Sequence, residues 1–97
     1  MTSDGKGSSS DAAVEREKRL ALRRYYIPRR LREARLWRKF SQEELAEACG
    51  IGQNRISNYE TSKKLPQLDT VHILAAELHV NPRWLIGEVS EWTPTVK

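Results

Sequence analysis

Gly50 stands four residues after Ala46 and six before Ile56, within SQEELAEACGIGQNRISNYE at residues 41–60. Two short helices that meet steeply across a three-residue turn have particular needs. They need a small residue where the backbones cross, a glycine free to take positive φ in the turn, and a branched apolar residue that seats the second helix on the core. Ala46, Gly50 and Ile56 meet those needs in order, and Leu45 and Tyr59 supply flanking core contacts. Ser41-Gln42-Glu43-Glu44 has the form of a capping box, in which the serine accepts from the third backbone N–H and Glu44 reaches back. The pattern predicts a helix over about 41–48, a tight connection at Cys49-Gly50-Ile51, and a second helix over about 52–61.

Nothing in the rest of the chain alternates like a strand, so the fold class is all-α. Pro28 favours the first turn of a helix and pushes Ile27 out of the α region, which predicts a boundary at Ile27 and a helix over about 28–39. That helix buries Leu31, Ala34 and Arg35, and Phe40 closes its turn. After a loop at Ser62, Lys63, Lys64, Leu65 and Pro66, a helix is expected over 68–78. Asn81-Pro82 caps a fifth short helix through Ile86, which Gly87 ends. The expectation is a compact five-helix domain at 27–88 with an extra basic helix before it and a C-terminal tail at 89–97. Residues 1–11, MTSDGKGSSSD, are Ser/Gly-rich, and ordering them costs entropy that no burial offsets; a disordered tail is expected. Residues 12–26 contain no Gly or Pro. They place Val14, Ala21 and Tyr25 on one helical stripe, with Leu22 a turn ahead of Tyr26, and are read as a basic amphipathic arm.

The formal net charge is +4, and its placement is uneven. Residues 12–30 hold seven basic side chains against two acidic ones, whereas 31–97 holds nine of each. A surplus confined to one segment is the arrangement expected where a polyanion is met. The segment from Arg16 to Arg30, with Arg16, Lys18, Arg19, Arg23, Arg24 and Arg29 in particular, is therefore assigned to a nucleic-acid backbone. The competing expectation is that this helix packs on a partner subunit through Val14, Leu22 and Tyr26. The single cysteine, Cys49, excludes an intramolecular disulfide and any multi-cysteine zinc site. It is read as filling a small apolar slot, and His72 and His79 as surface residues. No metal, cofactor or catalytic residue is expected, and so no enzyme. With 31% charged residues there is no apolar run of membrane-spanning length and no secretory h-region, which points to a cytoplasmic, nucleoid-associated protein.

At 100° per residue, the helix at 52–61 puts Ile56, Tyr59 and Glu60 on one arc and Asn54, Ser57, Asn58 and Thr61 on the opposite one. An outward face of amides and hydroxyls is what base-edge reading requires, since Asn and Gln can bond adenine bidentately, whereas a merely solvated face favours Lys and Glu.

Across residues 27–88 the chain resembles the lambda-repressor-like, or Xre-type, helix-turn-helix family of phage and bacterial regulators. The resemblance is carried by IPRRLREAR, SQEELAEACGIGQNRISNYE, Lys63, Pro66, Leu68 and NPRWLIGE. It implies that 52–61 is a recognition helix whose Gly52, Gln53, Asn54 and Asn58 face the major groove. It also implies that Gln42 holds a phosphate and braces Gln53, that Lys63 and Lys64 follow the backbone, and that Arg35 pairs with Glu60 beneath the recognition helix. Arg55, Ser57 and Thr61 are assigned to phosphates as well. Lys39, Ser62 and His79 stand where the family often has glycine. Either those turns are reshaped or each left-handed residue costs about 1 kcal/mol relative to Gly. Gly52 replaces the family's usual Ser or Thr and so removes one hydroxyl that could reach DNA. Trp84 is read as the anchor of the fifth helix. Trp37, Ile73, Val89 and Trp92 exceed what so small a domain buries easily, and Ile73, Val89 and Trp92 are assigned to a dimer surface. The expected function is that of a transcriptional repressor that binds a near-palindromic double-stranded operator as a homodimer. The alternative is the antitoxin of a toxin–antitoxin pair, which docks a protein partner and autoregulates by binding DNA.

Overall fold

The computed structural model describes residues 3–92; Met1, Thr2 and the 93–97 end of the expected C-terminal tail lie outside the described residues. The elements are α1 (Ser3–Trp37), α2 (Gln42–Cys49), α3 (Gln53–Glu60), α4 (Leu68–Leu78) and α5 (Pro82–Leu85). No strand occurs among the described residues.

The largest departure from expectation is α1. A disordered tail, an arm at 12–26 and a separate helix from Pro28 are replaced by one helix of 35 residues, about 52 Å long at 1.5 Å per residue. Pro28 removes one ladder hydrogen bond and crowds the preceding turn, which costs about 3 kcal/mol in an unsupported helix. Here Ile27 and Leu31 on either side of it are fully buried and Pro28 is buried with them, so packing holds the helix through the proline. Toward its start the helix grows by propagation from a formed ladder, which is far easier than nucleating a new turn.

The core gathers Ile27, Leu31 and Ala34 from α1, Leu45 and Ala46 from α2, and Ile56 and Tyr59 from α3. Val71, Leu74, Ala75 and Leu78 come from α4, and Val80, Trp84, Leu85 and Ile86 close it. From residue 11 on, the first buried residue is Ile27, so residues 11–25 contribute nothing to this core, and Val14, Leu22 and Tyr25 are exposed.

The three turns with non-glycine residues are not reshaped. Lys39, Ser62 and His79 take φ of 64°, 68° and 57°, beside Gly50 at 72° and Gly87 at 88°. At Lys39 the reason is visible in the backbone. Phe40 N–H donates to the Arg35 carbonyl (3.0 Å) and Lys39 N–H to that of Leu36 (3.0 Å), the paired bonds of a Schellman turn, which require a left-handed residue between them. Val80 N–H to the Ala75 carbonyl (3.0 Å) and His79 N–H to that of Ala76 (3.2 Å) repeat the arrangement after α4.

The chain after α5 does not leave the domain. Asn81 N–H donates to the Trp92 carbonyl (2.5 Å), and the Trp92 ring meets Trp37 edge-on with centroids 5.8 Å apart. Val89 and Trp92 pack half-buried against the core, which corrects the free tail expected from residue 89. Arg30 anchors the return. Its Nη1 donates to the carbonyls of Trp84 (2.5 Å) and Val89 (3.0 Å), and its guanidinium lies over the Tyr26 and Trp84 rings. Arg30 therefore leaves the set of residues assigned to a nucleic-acid backbone. Gly87 is needed where the return begins, because a Cβ there would overlap the Tyr26 ring, with Cγ at 2.9 Å.

Candidate nucleic-acid interface

The capping box that starts α2 is complete: Ser41 Oγ accepts from Glu44 N–H (3.0 Å) and Glu44 Oε1 accepts from Ser41 N–H (2.8 Å). Gly50 ends α2 in the left-handed region, and Gly52 begins α3 as an N-cap without a side-chain hydrogen bond. A Cβ on Gly52 would stand 2.8 Å from Asn54 Oδ1, so the Asn54 amide occupies the space that a serine or threonine at 52 would take.

Ile56 and Tyr59 seat α3 on the core, and this turns Gln53, Asn54 and Arg55 outward, all exposed. Ser57 and Asn58 are half-buried and Thr61 is exposed. Thr61 Oγ1 donates to the Ser57 carbonyl (2.8 Å) and Arg55 Nη2 to the Tyr59 hydroxyl (3.1 Å). Gln53, Asn54 and their solvent-facing amides thus sit at the first turn of α3, where backbone N–H groups lack intrahelical partners and favour negative charge.

Beneath α3 lies a polar knot. Arg35 donates from Nε to Glu60 Oε2 (2.6 Å) and from Nη2 to Glu60 Oε1 (3.0 Å), a fork-to-fork pair. The side chains are 9% and 3% exposed. Arg35 Nη1 also donates to the Phe40 carbonyl (2.8 Å), and Gln42 Nε2 donates to Glu60 Oε1 (3.1 Å). Gln42 is therefore braced on Glu60 rather than on Gln53. The knot fixes the end of α3 against α1 and the start of α2 with directional bonds, which apolar contacts alone do not provide.

Exposed cations lie on the turn after α3 and along α1. Lys63 and Lys64 are exposed on the turn after α3, held by backbone bonds from both N–H groups to the Asn58 carbonyl (2.9 and 3.2 Å). On α1, Arg16, Lys18, Arg19, Arg24 and Arg29 are exposed and Arg23 is half-buried. Arg29 donates to the Tyr25 carbonyl (2.8 Å) and covers the Tyr25 ring at 3.9 Å. Arg38, not singled out from the sequence, donates to the carbonyls of Leu78 (2.7 Å) and His79 (3.0 Å) and so closes the end of α4. Ile73 is exposed on α4.

Cys49 is half-buried against the core, and burial together with the Glu77 charge pushes its thiol up to about 11. That is the opposite of the lowered pKa an attacking thiolate needs. Among the described residues no group of three or more His, Cys, Asp or Glu could hold a metal ion, and no helix is long and apolar enough to cross a membrane.

Residues 31–85 match the family described as helix-turn-helix. The chain is similar to the HTH-type transcriptional regulator ImmR of Bacillus subtilis, with 39% identity over 71 residues that cover 71% of this chain and 56% of that protein. It is also similar to the uncharacterized HTH-type transcriptional regulator YobD of the same organism, with 35% identity covering 70% of this chain and 61% of that protein. A third relative, the uncharacterized HTH-type transcriptional regulator y4aM of Sinorhizobium fredii, is 25% identical over 73% of this chain and 50% of its own length. The chain thus spans about half to three-fifths of the length of the curated relatives it matches. No solved structure matches it.

Proposed function

The chain belongs to the lambda-repressor-like, or Xre-type, helix-turn-helix family, and from that premise we propose that it is a sequence-specific DNA-binding transcriptional regulator, acting as a repressor on a near-palindromic operator. The observation that carries the reading is the exposed first turn of α3: Gln53 and Asn54 face solvent while Ile56, Tyr59 and the Arg35–Glu60 pair hold the helix rigidly from behind. Rigid placement matters because a bidentate amide–adenine contact discriminates between bases by about 1–3 kcal/mol only when its geometry is kept.

In this reading α3 enters the major groove. Gln53, Asn54 and Asn58 read bases; Gln42, Arg55, Ser57, Thr61, Lys63 and Lys64 hold phosphates, with Gly52 allowing close approach. Arg55 reaches a phosphate by leaving the Tyr59 hydroxyl, a single exchange of hydrogen bonds. Operator symmetry calls for two copies. Ile73, exposed on α4, and the half-buried Val89 and Trp92 make up the proposed dimer surface.

Selection of bound sequences from a random double-stranded pool tests the proposal. A near-palindromic consensus is expected, and joint replacement of Gln53, Asn54 and Asn58 by Ala should abolish it while leaving weak, sequence-independent binding. An unchanged consensus would show that α3 is not the reader. Sedimentation of the protein with and without the selected DNA gives the stoichiometry, with two copies per duplex expected.

A further inference from the structure

Beside the turn that follows α3 lies a cleft of about 350 Å³ lined by Arg24, Pro28, Ser62, Lys63, Lys64 and Leu65. Three of the six are cations and none is a carboxylate. They come from segments 39 residues apart in sequence, brought together because the unbroken α1 carries Arg24 past the end of α3. Had α1 broken at Ile27, Arg24 would have no fixed relation to Lys63.

Both walls are held in place. On one side Pro28 is buried, with Ile27 and Leu31 locked in the core. On the other, Ser62 is left-handed, the N–H groups of Lys63 and Lys64 share the Asn58 carbonyl, and Pro66 is buried. Among the described residues, the side chains of Arg24, Lys63 and Lys64 have no hydrogen-bond or ion-pair partner, unlike Arg30, Arg35 and Arg38, which are all engaged. Three like charges around one hollow repel one another until an anion enters, so the cleft is an electrostatic complement to a compact anion.

We propose that Arg24, Lys63 and Lys64 hold a single phosphate of the DNA backbone between them, flanking the base pairs read by α3. This rests on the DNA-binding reading above and assigns the otherwise unexplained portion of α1 just before the core a definite contact. A neighbouring cleft shares Pro28 and Ser62 and is bordered by Arg29 and Arg32. Its lining also holds two carboxylates, Glu60, which Arg35 neutralises, and Glu33, so the cluster of cations without a carboxylate is confined to the cleft at Arg24, Lys63 and Lys64.

The full chain, with duplex DNA carrying the selected consensus, is titrated by fluorescence anisotropy at several KCl concentrations. Because counterions are released per phosphate neutralised, the slope of log K against log salt reports the number of phosphates held, at about 0.9 per contact. Arg24→Ala should weaken binding several-fold, and the triple replacement of Arg24, Lys63 and Lys64 by Ala should flatten the slope by about one unit, with the consensus unchanged. Arg83→Ala, which removes an exposed charge paired with Glu88 on α5, is the charge-matched control and should change neither. A triple variant that loses about three units would mean three separate phosphates and would overturn the shared site. An Arg24→Ala variant indistinguishable from Arg83→Ala would overturn it too, while leaving DNA binding itself intact. Wild-type protein that selects no sequence would overturn the functional reading and this site together. Far-UV circular dichroism of each variant verifies that α1 is kept.

Discussion

Glu60→Ala removes the carboxylate on which three hydrogen bonds end, two from Arg35 (2.6 and 3.0 Å) and one from Gln42 (3.1 Å). What remains is a guanidinium whose side chain is only 9% exposed and whose one surviving partner is the neutral Phe40 carbonyl. Breaking a buried pair on one side costs about 3–5 kcal/mol, because the stranded charge keeps its desolvation penalty and loses its compensation. A small domain has only about 5–15 kcal/mol in total, so the loss is a large fraction of it. At about 4–8 °C per kcal/mol for a chain of this size, even the lower figure lowers Tm by about 12–24 °C.

Urea titration followed by the fluorescence of Trp37, Trp84 and Trp92 measures the loss as a shift in midpoint at constant slope. Glu60→Gln, which keeps the shape and one acceptor oxygen, should fall between wild type and Ala. Replacing both partners by apolar residues, Arg35→Met with Glu60→Leu, should recover most of the stability, since no charge is then left buried. A Glu60→Ala protein within about 1 kcal/mol of wild type would refute the reasoning, because such a value is typical of a solvated surface pair.

Lys39→Gly, Ser62→Gly and His79→Gly should each raise stability by up to about 1 kcal/mol in thermal melts, since each relieves a left-handed side chain in a turn whose backbone bonds stay in place. Gly87→Ala should destabilise by about 1–3 kcal/mol through overlap with Tyr26 and strain at φ 88°, and Tyr26→Ala in the same chain should restore part of the loss in urea titrations. Gly52→Ser should stabilise α3 by a few tenths of a kcal/mol through a new cap, yet change affinity for the selected DNA because Asn54 must move; unchanged binding would place Asn54 away from the bases. Cys49 ionises near 9 in the unfolded chain and about 11 in the folded one. The unfolded state therefore releases its proton first, so this contribution to stability is complete below pH 9 and is lost as pH rises through 11. Comparing urea midpoints of wild type and Cys49→Ala across that window should show the wild type losing its advantage.

The helix-turn-helix unit was legible because each of its requirements falls on a different residue type: a capping serine, a small crossing residue, a turn glycine and a branched core residue. Ser41, Ala46, Gly50 and Ile56 occupy those places in the structure with the expected cap, φ and burial. The course of α1 was not legible, because Pro28 is a local signal to stop while the burial of Ile27, Pro28 and Leu31 is a tertiary reason to continue, and only the second depends on residues far along the chain. The fate of Val89 and Trp92 was hidden for the same reason. Their excess over a minimal core reads equally well as an intermolecular surface, and the Arg30 clamp that brings the chain back joins positions 54 and 59 residues apart.

A local surplus of arginine therefore has two physical destinations, and the structure separates them by what each guanidinium touches. Helix C-termini leave carbonyls without intrahelical donors, and a cation placed there satisfies the carbonyl and the helix dipole together. Arg38 does this at Leu78 and His79 and Arg30 at Trp84, while Arg30 at Val89 and Arg35 at Phe40 hold carbonyls of the connecting chain in the same way. All three arise from the buried half of α1, so one rigid helix fastens its own C-terminal turn and the ends of α4 and α5. The left-handed turn at Ser62 receives no such arginine among the described residues; the cations around it, Arg24, Lys63 and Lys64, face an open cleft instead. Charges that close the fold on its own carbonyls cannot also serve a polyanion, and those at Ser62 have no internal acceptor to serve. This division removes Arg30, Arg35 and Arg38 from the charges open to a polyanion and leaves the cations at the turn after α3, with those exposed nearer the start of α1, as the source of salt dependence.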